Sequence, residues 1–368
     1  MTETRYGLVG AGYFGLALGR ALANLPQARI SAVYDPEHAT RAADSFGAKV
    51  HDSIEELCSS EDVDAVVVAS PNWAHSEAVL IAARNGKAVF CEKPIALNFD
   101  DCSRMIEATG QAGVLFMAGH AMNFMSGVRR VKSLIADGAI GEVVFCRAVR
   151  NNWEEPQAEV TWKKRRELSG GHLYHHIHEL DFVQFIMGPA VEATMVGGNV
   201  AHQGPGFGDE DDLLLMTLEF GNNTFAVLEY GSAFRWPEHY VLIEGTKGAI
   251  RIDLQDTGVT MRTSTGGETF LLHRSEEEDA DRNRFYIEGA ADSGVLFGNP
   301  SMEPSLWLRG MIEDEVTYFH GLMRGEEPVA EFAKLTDGSA AAASIATADA
   351  LSLSLREGRK VRISEITG

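Results

Sequence analysis

Tyr6-Gly7-Leu8-Val9-Gly10-Ala11-Gly12-Tyr13-Phe14-Gly15 sets a short apolar run directly against a glycine-rich turn. Phe14, Leu18, Leu22 and Leu25 then recur at steps of four, four and three, the spacing of an amphipathic helix that Pro26 ends. Ile30-Ser31-Ala32-Val33-Tyr34 reads as a second strand and closes on Asp35. Strand, glycine turn, helix, strand and terminal acid within about 30 residues form the context that makes GxGxxG a dinucleotide signal. Gly10 permits the tight turn, Gly12 lets a pyrophosphate approach the backbone, and Gly15 lets the helix close on the strand. The helix start, with Tyr13 and Phe14 in its first turn, offers free amides and a positive dipole end to phosphate. Asp35 suits the adenosine ribose hydroxyls and repels a 2′-phosphate, which predicts NAD over NADP, although Arg41 follows close behind.

The alternation continues outward. Asp64-Ala65-Val66-Val67-Val68-Ala69 is an apolar strand of the kind covered on both faces, and it ends at Ser70-Pro71-Asn72 with His75 opening the next helix. Ala88-Val89-Phe90-Cys91 runs into Glu92-Lys93-Pro94, where proline stops the strand because it lacks a backbone donor. A helix over Asp101–Thr109 and a strand over Val114–Ala118 follow. Strands alternating with helices predict an α/β fold with a doubly wound parallel sheet, whose ligands bind at the carboxyl strand ends. Lys93 stands at such an end.

Composition bounds the rest. A chain of 368 residues exceeds one ordinary core, so two domains are expected, divided as 1–121 and 122–368. The balance of 32 lysines and arginines against 53 acids, net −21, argues against nucleic-acid or anionic-membrane partners. Cys58, Cys91, Cys102 and Cys146 lack paired spacing and read as reduced thiols of a cytoplasmic protein. The second part predicts strands at Glu142–Arg150, Val191–Val200, Asp212–Phe220, Thr224–Ser232, His239–Glu244 and Ala249–Asp253. An acidic stretch from Ser275 and the Gly, Asp and Asn-rich residues to Pro304 read as a long surface loop. Helices over Ser305–Met323 and Ser339–Glu357 close the chain, the last stopping at Gly358.

The segment from Gly171 to Asp181 carries His172, His175, His176 and His178. Read as one helix, it puts Tyr174, His178 and Asp181 on one face and turns His176 away from His178. His172, His175 and His178 drift by about 60° per three-residue step, and no acid or cysteine completes a ligand set, so no metal is expected. A histidine there suits general acid–base work near neutral pH. Trp153, Trp162 and Lys163 precede the glycines as candidates for lining a sugar site.

Together, Gly10–Gly15 with Asp35, Ser70-Pro71-Asn72 with His75, Glu92-Lys93-Pro94, Gly138-Ala139-Ile140-Gly141-Glu142, and Ser169-Gly170-Gly171 with His178-Glu179-Leu180-Asp181 resemble the Gfo/Idh/MocA oxidoreductases. The resemblance implies a Rossmann domain followed by an α+β domain with a large open, mainly antiparallel sheet, which is also a candidate homo-oligomer interface. It implies NAD(P)-linked oxidation of a secondary hydroxyl of a sugar, inositol or glycoside, with Lys93 and His178 handling the hydroxyl proton and a cis bond before Pro94. Ser70, Asn72, His75 and Glu92 join the glycines, Tyr13, Phe14, Asp35 and Lys93 on the cofactor side. The chain departs from the family where an aspartate is usual and Tyr174 stands, with His175 beside it, and where an arginine is usual and Asn123 stands. Tyr174 and His175 therefore join the catalytic candidates, and Asn123 and His172 the substrate ones. Two other readings share these parts: transient oxidation that cleaves a glycosidic bond with NAD regenerated, and a non-catalytic cofactor-binding regulator.

Overall fold

The computed structural model describes residues 3–256, 258–287, 299 and 301–368. It forms two compact units, and the chain does not divide between them at a single point. Met311–Ala342 returns to the unit built by the first 121 residues. The reason is apolar cover. On the helix Leu306–Met323, the Phe319 ring lies 5.6 Å from Phe90 and 6.3 Å from Tyr6. The neighbouring His320 accepts from the Tyr6 hydroxyl at 2.7 Å and meets the Pro26 carbonyl at 3.0 Å.

The first unit is a parallel sheet of β1 (Thr4–Val9), β2 (Ala28–Tyr34), β3 (Lys49–Val50), β4 (Ala65–Val68), β5 (Ala88–Glu92) and β6 (Phe116–Gly119). The order β3-β2-β1-β4-β5-β6 puts the topological switch between β1 and β4, where a doubly wound sheet opens to ligands. Every residue of β4 is buried, as its unbroken apolar run requires. β3, two residues long, is too short for periodicity to reveal.

The second unit carries β7 (Val143–Trp153), β8 (Ala190–Gly198), β9 (Leu213–Phe220), β10 (Phe225–Gly231), β11 (Ala233–Gly245), β12 (Gly248–Asp253), β13 (Gly258–Thr263), β14 (Gly266–Phe270) and β15 (Val361–Arg362). They form one open sheet in the order β14-β13-β12-β11-β7-β10-β9-β8-β15, antiparallel except where β7 meets β10. Ala226, Leu228 and Tyr230 of β10 pack inward beside Leu218, Met216 and Leu214 of β9. The alternate residues Phe225 (39%), Leu215 (42%) and Val196 (57%) are exposed on the other face.

The expected loop from Ser275 begins instead as a helix, Glu276–Ile287. Its acids crowd the first turn, where they oppose the helix dipole, and the buried Arg282 donates to the carbonyls of Asp253 and Asp256 at 3.2 and 2.6 Å. High charge concealed a helix that its end charges and one arginine hold. Residues 288–298 and 300 of that expected loop lie outside the described residues. The helix Ser339–Glu357 ends at Gly358 with φ +65°, the left-handed stop expected of it.

Candidate active-site residues

The glycine turn has the shape its sequence requires. Gly10 sits at φ +94°, and a Cβ there would lie 2.4 Å from the Ser70 amide nitrogen across the switch point. A Cβ on Gly15 would lie 2.0 Å from the Gly10 carbonyl oxygen, whereas one on Gly12 would meet nothing within 4 Å. Gly12 also N-caps the helix Tyr13–Ala23 without a side-chain cap, and no acid occupies the first turn. Open space beside free helix amides fits a pyrophosphate. Tyr13 is buried and Phe14 packs edge-on to it at 5.4 Å. Asp35 Oδ2 accepts from the Ala11 amide at 2.7 Å, and Oδ1 from the amides of Glu37 (2.8 Å) and His38 (2.7 Å). Those bonds orient the carboxylate at the end of β2, beside the turn.

Beyond the end of β4 lie Ser70, whose buried hydroxyl has no hydrogen-bond partner among the described residues, and Asn72, 6% exposed. His75, expected to meet the cofactor, is 1% exposed, and its ring nitrogens face the carbonyls of Pro94 (2.8 Å) and Ser70 (2.7 Å). Burial lowers its pKa while the two carbonyls favour the charged ring, which spans the two strand ends. The Lys93–Pro94 bond is cis. Lys93 is half-buried, and its amide donates to Glu92 Oε2 at 3.2 Å. Burial pushes the Glu92 carboxyl up to about 7.

In the second unit the histidine segment is not one helix. Gly170 and Gly171, at φ +83° and +77°, turn the chain into Gly171–His175, which breaks at His176 (φ −109°, ψ +43°) before His178–Met187 begins. One helical turn sets His176 beside His172, their rings 4.5 Å apart, and the His175 ring stands 4.8 Å from His176, so three of the histidines cluster on the first half of the segment. Trp162 stands edge-on to His175 at 6.1 Å, with half-buried Lys163 next to it in the turn Trp162–Lys164. His175, His176 and His178 are half-buried, while His172 is 5% exposed and burial drives its pKa well down. Among the described residues no group of three or more His, Cys, Asp or Glu is placed to hold a metal.

Three other candidates have partners within the second unit. The Tyr174 hydroxyl donates to Asp349, and burial raises its pKa well above the usual phenol, so it docks a helix. Asn123, 1% exposed, accepts from Lys132 at 2.8 Å and donates to Asp181 at 3.2 Å, while Asp181 also accepts from Ser344 at 3.0 Å. Asp181 thus anchors its helix. Trp153 lies under the Arg235 guanidinium at 3.5 Å and against His202 at 4.6 Å, as a packing residue would. Tyr174 and Asp181 both anchor to the helix Ser339–Glu357, which holds the two halves of the histidine segment.

Sequence reasoning missed the network beneath His178. Glu179, 1% exposed, accepts from Arg150 at 2.9 Å and from His239 Nε2 at 2.6 Å, and His239 Nδ1 meets the Tyr286 hydroxyl at 3.2 Å. Burial opposes its charge, yet Arg150 and His239 outweigh it and hold Glu179 well below the usual carboxylate range. Burial and then Arg150 lower the His239 pKa, so the folded ring is neutral. The unfolded chain then binds the extra proton first, and this contribution to stability is lost as pH falls below about 6.5. Glu179 acts in the same sense only below about 4.5. Between about pH 7.5 and 5.5 the Tm of wild type is expected to drop about 2 °C further than that of His239→Gln, which keeps the donor to Glu179. Equal drops in thermal melts would refute the neutral-ring assignment.

A doubly wound parallel sheet with an uncapped glycine turn, an acid closing its second strand and a lysine closing its fifth defines a nicotinamide-dinucleotide-binding oxidoreductase unit. The chain belongs to the Gfo/Idh/MocA oxidoreductase family. The family model for the NAD-binding Rossmann fold matches residues 4–120, and that for the C-terminal alpha/beta domain matches residues 132–363. It is 52% identical to a 2,7-anhydro-N-acetylneuraminate hydratase of Mediterraneibacter gnavus, covering 100% of this chain and 99% of that one. It is 50% identical to the enzyme of the same name from Escherichia coli, covering 98% and 97%. With a myo-inositol 2-dehydrogenase of Thermotoga maritima it shares 26% identity, covering 99% and 100%.

Proposed function

We propose that this protein opens an anhydro sugar of the 2,7-anhydro-N-acetylneuraminate type by adding water, using NAD within the catalytic cycle without net oxidation. The observation that carries this reading is the cluster of His172, His175 and His176 around one short helix. A simple alcohol oxidation needs one proton acceptor. Opening the bridge moves protons at more than one atom. The names of the two relatives at 52% and 50% identity support the same substrate class.

The chemistry constrains the order of events. The bridging oxygen O7 leaves from C2, and its expulsion requires a carbonyl two carbons away, at C4, to acidify the hydrogen on C3. NAD, when bound by Gly10, Gly12, Gly15 and Asp35, supplies a hydride acceptor for the C4 carbinol and a donor when the alcohol is restored. Lys93 and His178 hold and move the proton of the C4 oxygen, Lys93 stabilising negative charge as it develops there. His175 removes the C3 proton as the C2–O7 bond breaks and a C2=C3 bond forms, and O7 leaves with a proton. Water then adds oxygen at C2 and hydrogen at C3, so that substrate and water balance product. Trp162 offers an apolar face to the sugar and Lys163 a cation to the acid group. Asp35 favours NAD over NADP, and the exposed apolar face of the open sheet suits a homo-oligomer.

The test is incubation with catalytic NAD and 2,7-anhydro-N-acetylneuraminate. The expected result is stoichiometric N-acetylneuraminate with absorbance at 340 nm returning to baseline. Inositols or aldoses giving stoichiometric NADH, with the anhydro sugar untouched, would replace this reading with that of a dehydrogenase.

A further inference from the structure

Lys163 and Lys164 are neighbours in one turn, yet their surroundings differ. The Lys164 side chain is 15% exposed, and its Nζ donates to Glu154 Oε2 and to Glu210 Oε1, each at 2.8 Å. Both acids are buried, at 8% and 6% exposure. Burial works against the ammonium charge, but Glu210 and Glu154 outweigh it and raise the Lys164 pKa, so the charge stays.

The two acids come from distant parts of the chain. Glu154 follows Trp153, the last residue of β7. Glu210 lies in the loop that enters β9, where the Asp212 carboxylate accepts from the amides of Val200, Ala201 and His202 at 2.7, 2.8 and 2.7 Å. The backbone joins the same two segments. The Gln157 amide donates to the Gly206 carbonyl at 2.8 Å, and the Asp209 amide to the Lys164 carbonyl at 3.1 Å. Gly208 comes so near that a Cβ on it would stand 1.8 Å from the Lys164 carbonyl oxygen. Asp209 Oδ1 in turn accepts from the Arg166 amide at 2.7 Å. Residues 158–163 are thus tied down at both ends, and Trp162 and Lys163 ride between the ties.

We propose that Lys164 is a positioning residue whose bridge between Glu154 and Glu210 fixes the turn Trp162–Lys164, sets Trp162 against His175, and leaves Lys163 to read the acid group of the sugar. The Trp162 ring stands edge-on to His175 at 6.1 Å, so the turn and the histidine cluster share one wall. An ammonium already shared by two buried carboxylates has no charge to spare for a third. Without it, two like charges would be left buried on facing segments. The bridge stands on the contacts above, whereas the acidic sugar rests on the function proposed for this site.

Two readouts test it. Hydrogen exchange of the NAD-loaded protein without sugar follows the peptide 158–166, in which the Lys164 and Arg165 amides donate to the Thr161 and Trp162 carbonyls, both at 3.1 Å. Lys164→Met is expected to speed exchange there at least about tenfold, while Glu210→Gln, which keeps an acceptor for Nζ, holds the wild-type rate. Unchanged exchange in K164M would overturn the bridge as anchor of the turn. With the anhydro sugar, K164M is expected to raise KM at least about tenfold with kcat within about threefold, and E210Q to keep KM within about threefold. An unchanged KM in K164M, or a fall in kcat larger than the rise in KM, would overturn the positioning role. A KM for E210Q several-fold below wild type would overturn it too, since it would mark Lys164 as binding the acid group itself. K164M combined with E210Q leaves no two carboxylates facing each other, and it replaces K164M, with the same outcomes expected, where the single variant does not fold. Should wild type leave the anhydro sugar untouched, the proposed function falls while the exchange comparison still decides the bridge.

Discussion

Lys93→Ala is expected to lower kcat at least about a thousandfold while changing the Kd for NAD by less than about threefold. The lysine closes β5, at the edge where a doubly wound sheet meets its ligand, and its loop is braced by His75 across to Ser70. An alanine there leaves the glycine turn and Asp35 untouched, so cofactor binding survives. What goes is the only proposed cation at the reacting oxygen, both as a proton donor and as a counter-charge to the developing alkoxide. Single-turnover kinetics alongside a fluorescence titration of NAD would separate the two effects. Turnover within tenfold of wild type would remove Lys93 from the chemistry. The second unit's histidines would then have to supply it.

The second large effect divides two neighbouring glycines. Gly15→Ala should destabilise the fold by about 3 kcal/mol or more, since its Cβ would lie 2.0 Å from the Gly10 carbonyl oxygen, a backbone atom that cannot rotate away. Gly12→Ala should leave the apo Tm within about 2 °C, because its Cβ meets nothing within 4 Å and its φ of −70° suits any residue. The same methyl fills the space where pyrophosphate approaches the backbone, so the Kd for NAD should rise at least about tenfold, or about 1.4 kcal/mol. Melting curves and NAD titrations of the two variants give opposite patterns. A destabilised Gly12→Ala, or one that binds NAD normally, would contradict the cradle described here.

The glycine turn, the strand that ends at Asp35 and the strand that ends at Lys93 were legible because each is a local requirement. A turn needing positive φ, a helix start needing no side chain and a proline ending a strand all write themselves within a few residues. The helix Glu276–Ile287 was not legible, because its anchors lie elsewhere. Arg282 reaches the carbonyls of Asp253 and Asp256, and no periodicity announces that.

By itself, then, the sequence determined the dinucleotide unit, the family, and Lys93 as a charge at a ligand-facing strand end. Each rests on spacing and backbone geometry within one βαβ repeat. Helical spacing sets His176 beside His172, one turn apart. The tertiary structure alone decided that the segment breaks after it, with Tyr174 bound to Asp349 and Asp181 bound to Ser344 holding its two halves. Those anchors lie more than 160 residues down the chain. The same holds for protonation. Whether Glu179 is charged depends on Arg150 and His239 facing it, contacts that only folding creates.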